Sequence, residues 1–139
     1  EDFNLGQTSF ECGRRNNALK FWTMWKAIGT NGIAKIVEHE FSLADNARNY
    51  VTSNSDYTLY SFKDSLSVCF NYKDFDPEDL CTKLYESNTL MVGFGHFHDN
   101  GFVRLVTING ENTHEDLKHF FNVLEKFANE NADSIKRIS

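Results

Sequence analysis

Few residues in this sequence have direct chemical reach. His96 and His98 stand two apart, which in a strand places both on one face, and His114 or His119 could add a third metal ligand. The pair falls beside a turn, where solvated histidines are common, so the spacing assigns no metal. Cys12, Cys69 and Cys81 are widely separated, with no CxxC pair, and Cys12 has no identifiable His partner to activate it as a nucleophile. Gly93-Phe94-Gly95 precedes no helical pattern and therefore does not read as a phosphate-cradling loop. Arg104 is different, because it interrupts the otherwise apolar strand pattern from Phe102 to Ile108. One reading is a solvent-facing side chain laying its stem on a sheet. The other is a fixed fork for a carboxylate, since only Arg offers planar paired donors and keeps its charge when partly desolvated. The pattern alone leaves both open. Arg14 and Arg15 pose a related question, because two cations at a helix N-terminus oppose the macrodipole and call for a partner.

The elements that must position these groups follow from periodicity. Glu1 to Cys12 is polar and aperiodic and reads as an arm. From Arg14, the residues Leu19, Trp22, Met24, Trp25 and Ile28 carry apolar bulk at helical spacing until Gly29 and Asn31-Gly32 break the pattern. A second helix is predicted from about Ile33 to Val51. The period then drops towards two, and Tyr57–Phe62 and Leu66–Asn71 read as a hairpin with one covered face. Asp76-Pro77 is a helix start, because the carboxylate accepts from free N–H groups and Pro has none to lose. That helix ends near Ser87-Asn88. Leu90–Phe97 and Phe102–Ile108 are two further strands, with Asp99-Asn100-Gly101 as the turn. Thr113 and Asp116 form a capping-box pattern before a helix whose buried stripe includes Leu117, Phe120, Phe121, Leu124 and Phe127. Beyond Ala128 the tail is expected to fray.

The predicted order is helix, helix, strand, strand, helix, strand, strand, helix. It describes an α+β fold, a small antiparallel sheet with helices on one face, because turns this short exclude the crossovers of a doubly wound parallel sheet. At 139 residues, with 40% hydrophobic side chains and no repeat or linker, the chain has enough material for one core. A net charge of −6 with dispersed Lys and Arg argues against nucleic acid as a partner. No apolar run reaches the roughly 18 residues of a membrane span. The cysteine pattern fits a reducing, cytoplasmic setting better than a disulfide framework.

At the cluster around Arg14 the sequence also resembles a known family. The run Cys12 to Gly29 contains Cys12-Gly13-Arg14, Leu19-Lys20 and Met24-Trp25-Lys26 in order. It resembles the segment linking the large and C-terminal domains of group II pyridoxal-phosphate-dependent amino-acid decarboxylases, within them the glutamate and cysteine-sulfinate branch. Leu66–Tyr72 resembles the family's N-V-C-F-W-Y strand, Thr89–Phe94 its T-x-M-V-G-Y strand, and Phe102–Val106 its F-F-R-x-V strand. Asn71 replaces the family's Trp, and Val103 its second aromatic residue. The resemblance implies the C-terminal domain of a fold-type I enzyme over residues 14–139, with 1–13 as an arm from the end of a large domain. It implies that Arg104 pairs with the substrate α-carboxylate and that Gly13 lines the substrate side-chain pocket.

The same resemblance makes one absence informative. No Lys follows a His anywhere in the sequence, so the family's cofactor-binding His-Lys pair is not here, and a large cofactor domain does not fit beside the motifs already placed. Pyridoxal phosphate is therefore expected in the intact enzyme and not on this fragment, which would contribute substrate contact and interdomain packing without catalytic residues of its own. The intact enzyme is expected to be a homodimer that acts on glutamate, aspartate or cysteine sulfinate. A beginning at Glu1 rather than Met reads as a cut near the domain junction. The alternative is a non-catalytic α+β binding or interaction module derived from that fold, with the Trp22/Trp25 helix as its exposed apolar surface.

Overall fold

A computed structural model describes residues 16–138 of the 139. Contacts divide the chain into two compact units, Glu1–Ile36 and Val37–Ser139. In the first unit, helix α1 (Asn17–Ser53) begins with the Asn16 side-chain oxygen accepting from the Leu19 N–H at 3.0 Å. This satisfies one of the free donors of the first turn. The helix is interrupted at Gly29, whose φ of 68° and ψ of 175° lie outside helical space and in a region that favours glycine. The break thus falls at the first of the positions that the sequence marked. Trp25 donates its indole N–H to the Thr30 hydroxyl at 3.0 Å across this interruption. Leu19, Trp22, Trp25 and Ile28 remain exposed.

The second unit holds the rest of α1 and all of the sheet. Strands β1 (Tyr57–Leu59), β2 (Ser67–Tyr72), β3 (Gly93–Phe97) and β4 (Asn100–Val106) are joined by helix α2 (Pro77–Glu86), between β2 and β3, and are followed by helix α3 (His114–Glu130). The sheet order is β1-β2-β4-β3, with every neighbouring pair antiparallel. β2 and β3 therefore run parallel with β4 inserted between them. Val68, Phe70 and Val103 share one sheet face by register and pack into a core with Leu43, Ala47 and Val51 of α1, Leu80 and Leu84 of α2, and Phe121 and Leu124 of α3. Among the described residues of this unit, helices cover this face alone. The α+β architecture is the one that the alternating and helical periods predicted.

Local chemistry explains the element ends. The Asp76 carboxylate accepts from the Asp79 N–H at 2.8 Å with Pro77 in the first turn. Thr113 and Asp116 close a full capping box at α3. Three expectations need correction. β1 stops at Leu59 rather than Phe62, because the Tyr60 and Ser61 N–H groups both reach the Cys69 carbonyl and the chain then leaves the sheet. The β3–β4 turn is His98-Asp99, since Phe97 pairs with Asn100 and Gly101 pairs with His96. His98 supplies the positive φ, at 52°. The tail beyond Ala128 is anchored, because Ile135 is buried in the core, the Asp76 N–H donates to the Lys136 carbonyl at 2.9 Å and Arg137 pairs with Asp74.

Three elements meet at one carboxylate. Tyr50 of α1 and Tyr57 of β1 donate to the same Glu125 oxygen of α3, at 2.7 and 2.8 Å. The Tyr50 ring stacks on Phe121 and the Tyr57 ring packs on Phe70, so the bonds are made at the edge of the core. Burial, reinforced by the Glu125 carboxylate, pushes Tyr57 upward and Tyr50 up to about 12 from 10.0. A folded state that holds phenol protons beyond the pH at which the unfolded chain releases them must lose stability as pH rises between those values. This contribution is complete below pH 10 and is lost progressively above it. Denaturant unfolding at pH 9 to 11.5 is expected to show a falling stability whose slope is reduced by Tyr57→Phe; an unchanged slope would remove this cluster as its source.

Candidate functional site

Strand β4 is positioned by its alternate residues. Val103 is fully buried and Leu105 packs against the core, so Arg104 between them projects from the opposite, helix-free face. The register places Arg104 opposite Cys69 on β2 and opposite Gly93 on β3, forming one row across three strands. The Arg104 side chain is exposed and makes no ion pair or hydrogen bond with a described residue. Ser67, Cys69, Gly93 and Gly95 of the neighbouring strands share this face with Phe102 and Val106 of β4 itself.

Beside this row lies a cavity of about 480 Å³ whose lining includes Tyr60, Phe62, Phe97, Phe102, Ser61 and Cys69. The Phe102 ring lies over Gly95, where a Cβ would come within 2.9 Å of the ring. The Ser61 hydroxyl oxygen is buried there without a partner among the described residues. This aromatic wall was not found from the sequence, because Phe62 falls after the end of β1 and only the three-dimensional register brings it near Phe97 and Phe102. Cys69 belongs to both features. Burial pushes its thiol up, and the positive charge of Arg104 draws it partly back.

The remaining predicted groups behave differently. His96 lies on β3 with its ring beside Gly101, whereas His98 lies in the turn with its ring against Phe97. No group of three His, Cys, Asp or Glu side chains suited to a metal occurs among the described residues. The fold instead brings His39 and His114 together, with ring centroids 6.3 Å apart. Cys81 is buried, its thiol pushed up to about 12, and it donates to the Gly93 carbonyl at 3.7 Å. Gly13, with Cys12, Arg14 and Arg15, lies outside the described residues. Arg104 thus offers paired cationic donors for an anion.

The comparisons with known proteins give this geometry its family. A family model described as a pyridoxal-dependent decarboxylase conserved domain matches residues 2–73, more than half of the chain. The chain belongs to the pyridoxal-dependent decarboxylase family. Among curated relatives of this decarboxylase chain, the acidic amino acid decarboxylase GADL1 of Mus musculus is 27% identical over 133 residues, which cover 83% of this chain and 24% of that protein. The cysteine sulfinic acid decarboxylase of Homo sapiens is 26% identical over 141 residues, covering 88% of this chain and 29% of that protein. These are members of the branch that the motifs resemble. The chain spans less than a third of the length of either relative. In structure, mouse CSAD superposes with a TM-score of 0.73 at 23% identity, over 88% of this chain and 29% of that one. The glutamate decarboxylase domain of a Vibrio parahaemolyticus protein gives a TM-score of 0.74 at 15% identity, over 94% of this chain and 29% of that one. Both share the α+β fold of this decarboxylase chain.

Pyridoxal phosphate is the cofactor of this family, and the described residues do not fit an anchor for it. Such an anchor needs an enclosed lysine with an acidic partner for the ring nitrogen. The described lysines of this decarboxylase chain are exposed, except for the half-buried Lys83, which is paired with Asp79 at 2.7 Å.

The proximity of Arg104 to Cys69 can be read directly. Arg104→Gln removes the cation and is expected to raise the pH at which Cys69 is alkylated, as followed by mass-mapped iodoacetamide labelling. Cys81 should stay unlabelled while the chain is folded. An unmoved Cys69 profile would place the guanidinium away from the thiol.

Proposed function

We propose that this chain is the C-terminal α+β domain, over residues 14–139, of a decarboxylase that removes the α-carboxylate of an acidic amino acid such as glutamate, aspartate or cysteine sulfinate. Residues 1–13 are the end of a large domain that holds the cofactor, and Gly13 borders the substrate side chain. The observation that carries the reading is Arg104, a guanidinium without an ion-pair or hydrogen-bond partner among the described residues, held on the open face of a sheet by neighbours fixed in the core. Its fork accepts a carboxylate through two parallel N–H···O bonds. Fixing the carboxylate in this way sets the direction of the bond that breaks, an orientational contribution that needs no proton transfer from the domain. When bound in the rest of the protein, pyridoxal phosphate supplies the electron sink for that bond's electrons. The exposed apolar residues of α1 before Gly29 supply interdomain packing, and the intact enzyme is a cytoplasmic homodimer.

A second reading, a binding module without catalysis, is favoured by the same exposed helix face and separated by the cofactor. The chain mixed with pyridoxal phosphate and reduced with borohydride is expected to show no stoichiometric, site-specific lysine label; a single modified lysine with an aldehyde-adduct absorption band overturns the fragment reading. In the full-length protein, Arg104→Lys is expected to lower kcat/KM by roughly 10- to 100-fold, the loss of a bidentate charge-assisted contact. Inhibition by the amine product, which has lost the α-carboxylate, should be unchanged. Equal weakening of substrate and amine would assign Arg104 to the other acid group of the substrate.

A further inference from the structure

Three glycines lie within strands, and the fold accounts for two of them. A Cβ at Gly95 would come within 2.9 Å of the Phe102 ring, and one at Gly101 would stand 2.8 Å from the Pro77 ring and 3.2 Å from His96. Gly93 is different. Its φ is not in the left-handed region, so its backbone does not require glycine. A Cβ there would make only ordinary contacts among the described residues, 3.7 Å to the Arg104 carbonyl oxygen and 4.0 Å to the Arg104 Nε. It is exposed, and a strand at such a position is normally strengthened by a β-branched side chain and weakened by glycine. Neither backbone geometry nor packing within the described residues calls for glycine at 93. The one side-chain atom within 4 Å of such a Cβ among the described residues is Nε of the Arg104 guanidinium, directly opposite in the register.

We infer that Gly93 is a positioning residue, which keeps open the space through which the Arg104 guanidinium presents its fork to an anion. The inference rests on the reading of Arg104 as the carboxylate-binding group. A methyl group at 93 reaches only van der Waals distance, whereas the γ-methyls of a β-branched residue extend a further bond towards Nε and displace the guanidinium. Substrate affinity and strand stability therefore pull in opposite directions at this position.

The test is a set of variants in the full-length protein that contains this chain: Gly93→Ala, Gly93→Val, Gly93→Thr, Arg104→Ala, and Gly93→Val combined with Arg104→Ala. Gly93→Val and Gly93→Thr are expected to raise KM for the amino acid about tenfold or more, the scale of a lost charge-assisted contact, and to lower kcat as the scissile bond loses its orientation. Gly93→Ala should stay near wild type. Melting temperature should hold or rise in all three Gly93 variants. In the Arg104→Ala background, Gly93→Val should add no further loss, since a clearance that serves one side chain has no effect once that side chain is removed. If Arg104→Ala leaves KM unchanged, the carboxylate reading fails and this inference fails with it. If Arg104→Ala raises KM but Gly93→Val does not, or if the two effects add in full, the carboxylate reading stands and the positioning role of Gly93 is overturned. A fall in melting temperature in Gly93→Val and Gly93→Thr also overturns it, because that result would reveal a packing role.

Discussion

The insertion of β4 between β2 and β3 is the constraint on which the rest of this chain depends. A strand with neighbours on both sides has its register fixed twice, and a slip of one residue would exchange every side chain between the two faces. Val103 and Leu105 supply the energetic reason that it does not slip, since exchange would drive Arg104 into an apolar core without a counter-charge. The same rule that buries two aliphatic side chains thus delivers one cation to the opposite surface. Nothing local to Arg104 has to hold the strand in place.

The two sheet faces have correspondingly different chemistry. One is filled by aliphatic and aromatic side chains from three helices and is tied at its margin by two phenols sharing the Glu125 carboxylate. The other carries Arg104 beside Ser67, Cys69, Gly93 and Gly95, with aromatic rings at one end. Large side chains such as Phe62 and Phe97, 75% and 68% exposed, gain little by standing in water.

Much of this was legible in the sequence, and the legible parts share a cause. Asp76-Pro77, Thr113 with Asp116, and the alternation through β4 are signals in which the interacting groups lie within four residues of each other. The unreadable parts depend on distant partners. The tail beyond Ala128 is expected to fray, yet Ile135 finds the core and the Lys136 carbonyl finds the Asp76 N–H. Residue preference places the turn at Asp99-Asn100-Gly101, but Asn100 and Gly101 pair within the strand, where a Cβ at 101 would meet Pro77, and the bend is His98-Asp99. Arg104 was singled out by type and setting, and the face that it occupies became readable only with the register. The aromatic wall and the Glu125 cluster left no local trace at all.

Gly93 shows why such a site escapes pattern reading even when its principal residue does not. Propensity treats a strand glycine as a defect or a sign of close backbone approach. Here the neighbouring side chain is Arg104 at ordinary contact distance, so neither strain nor packing among the described residues selects the glycine. Where local preference, packing and turn chemistry otherwise agree with the fold, the one position that breaks the strand's preference without an internal return is a pointer to function. On this sheet that position lies directly across from the one unpaired guanidinium on the open face among the described residues, and the two deviations explain each other better than either is explained alone.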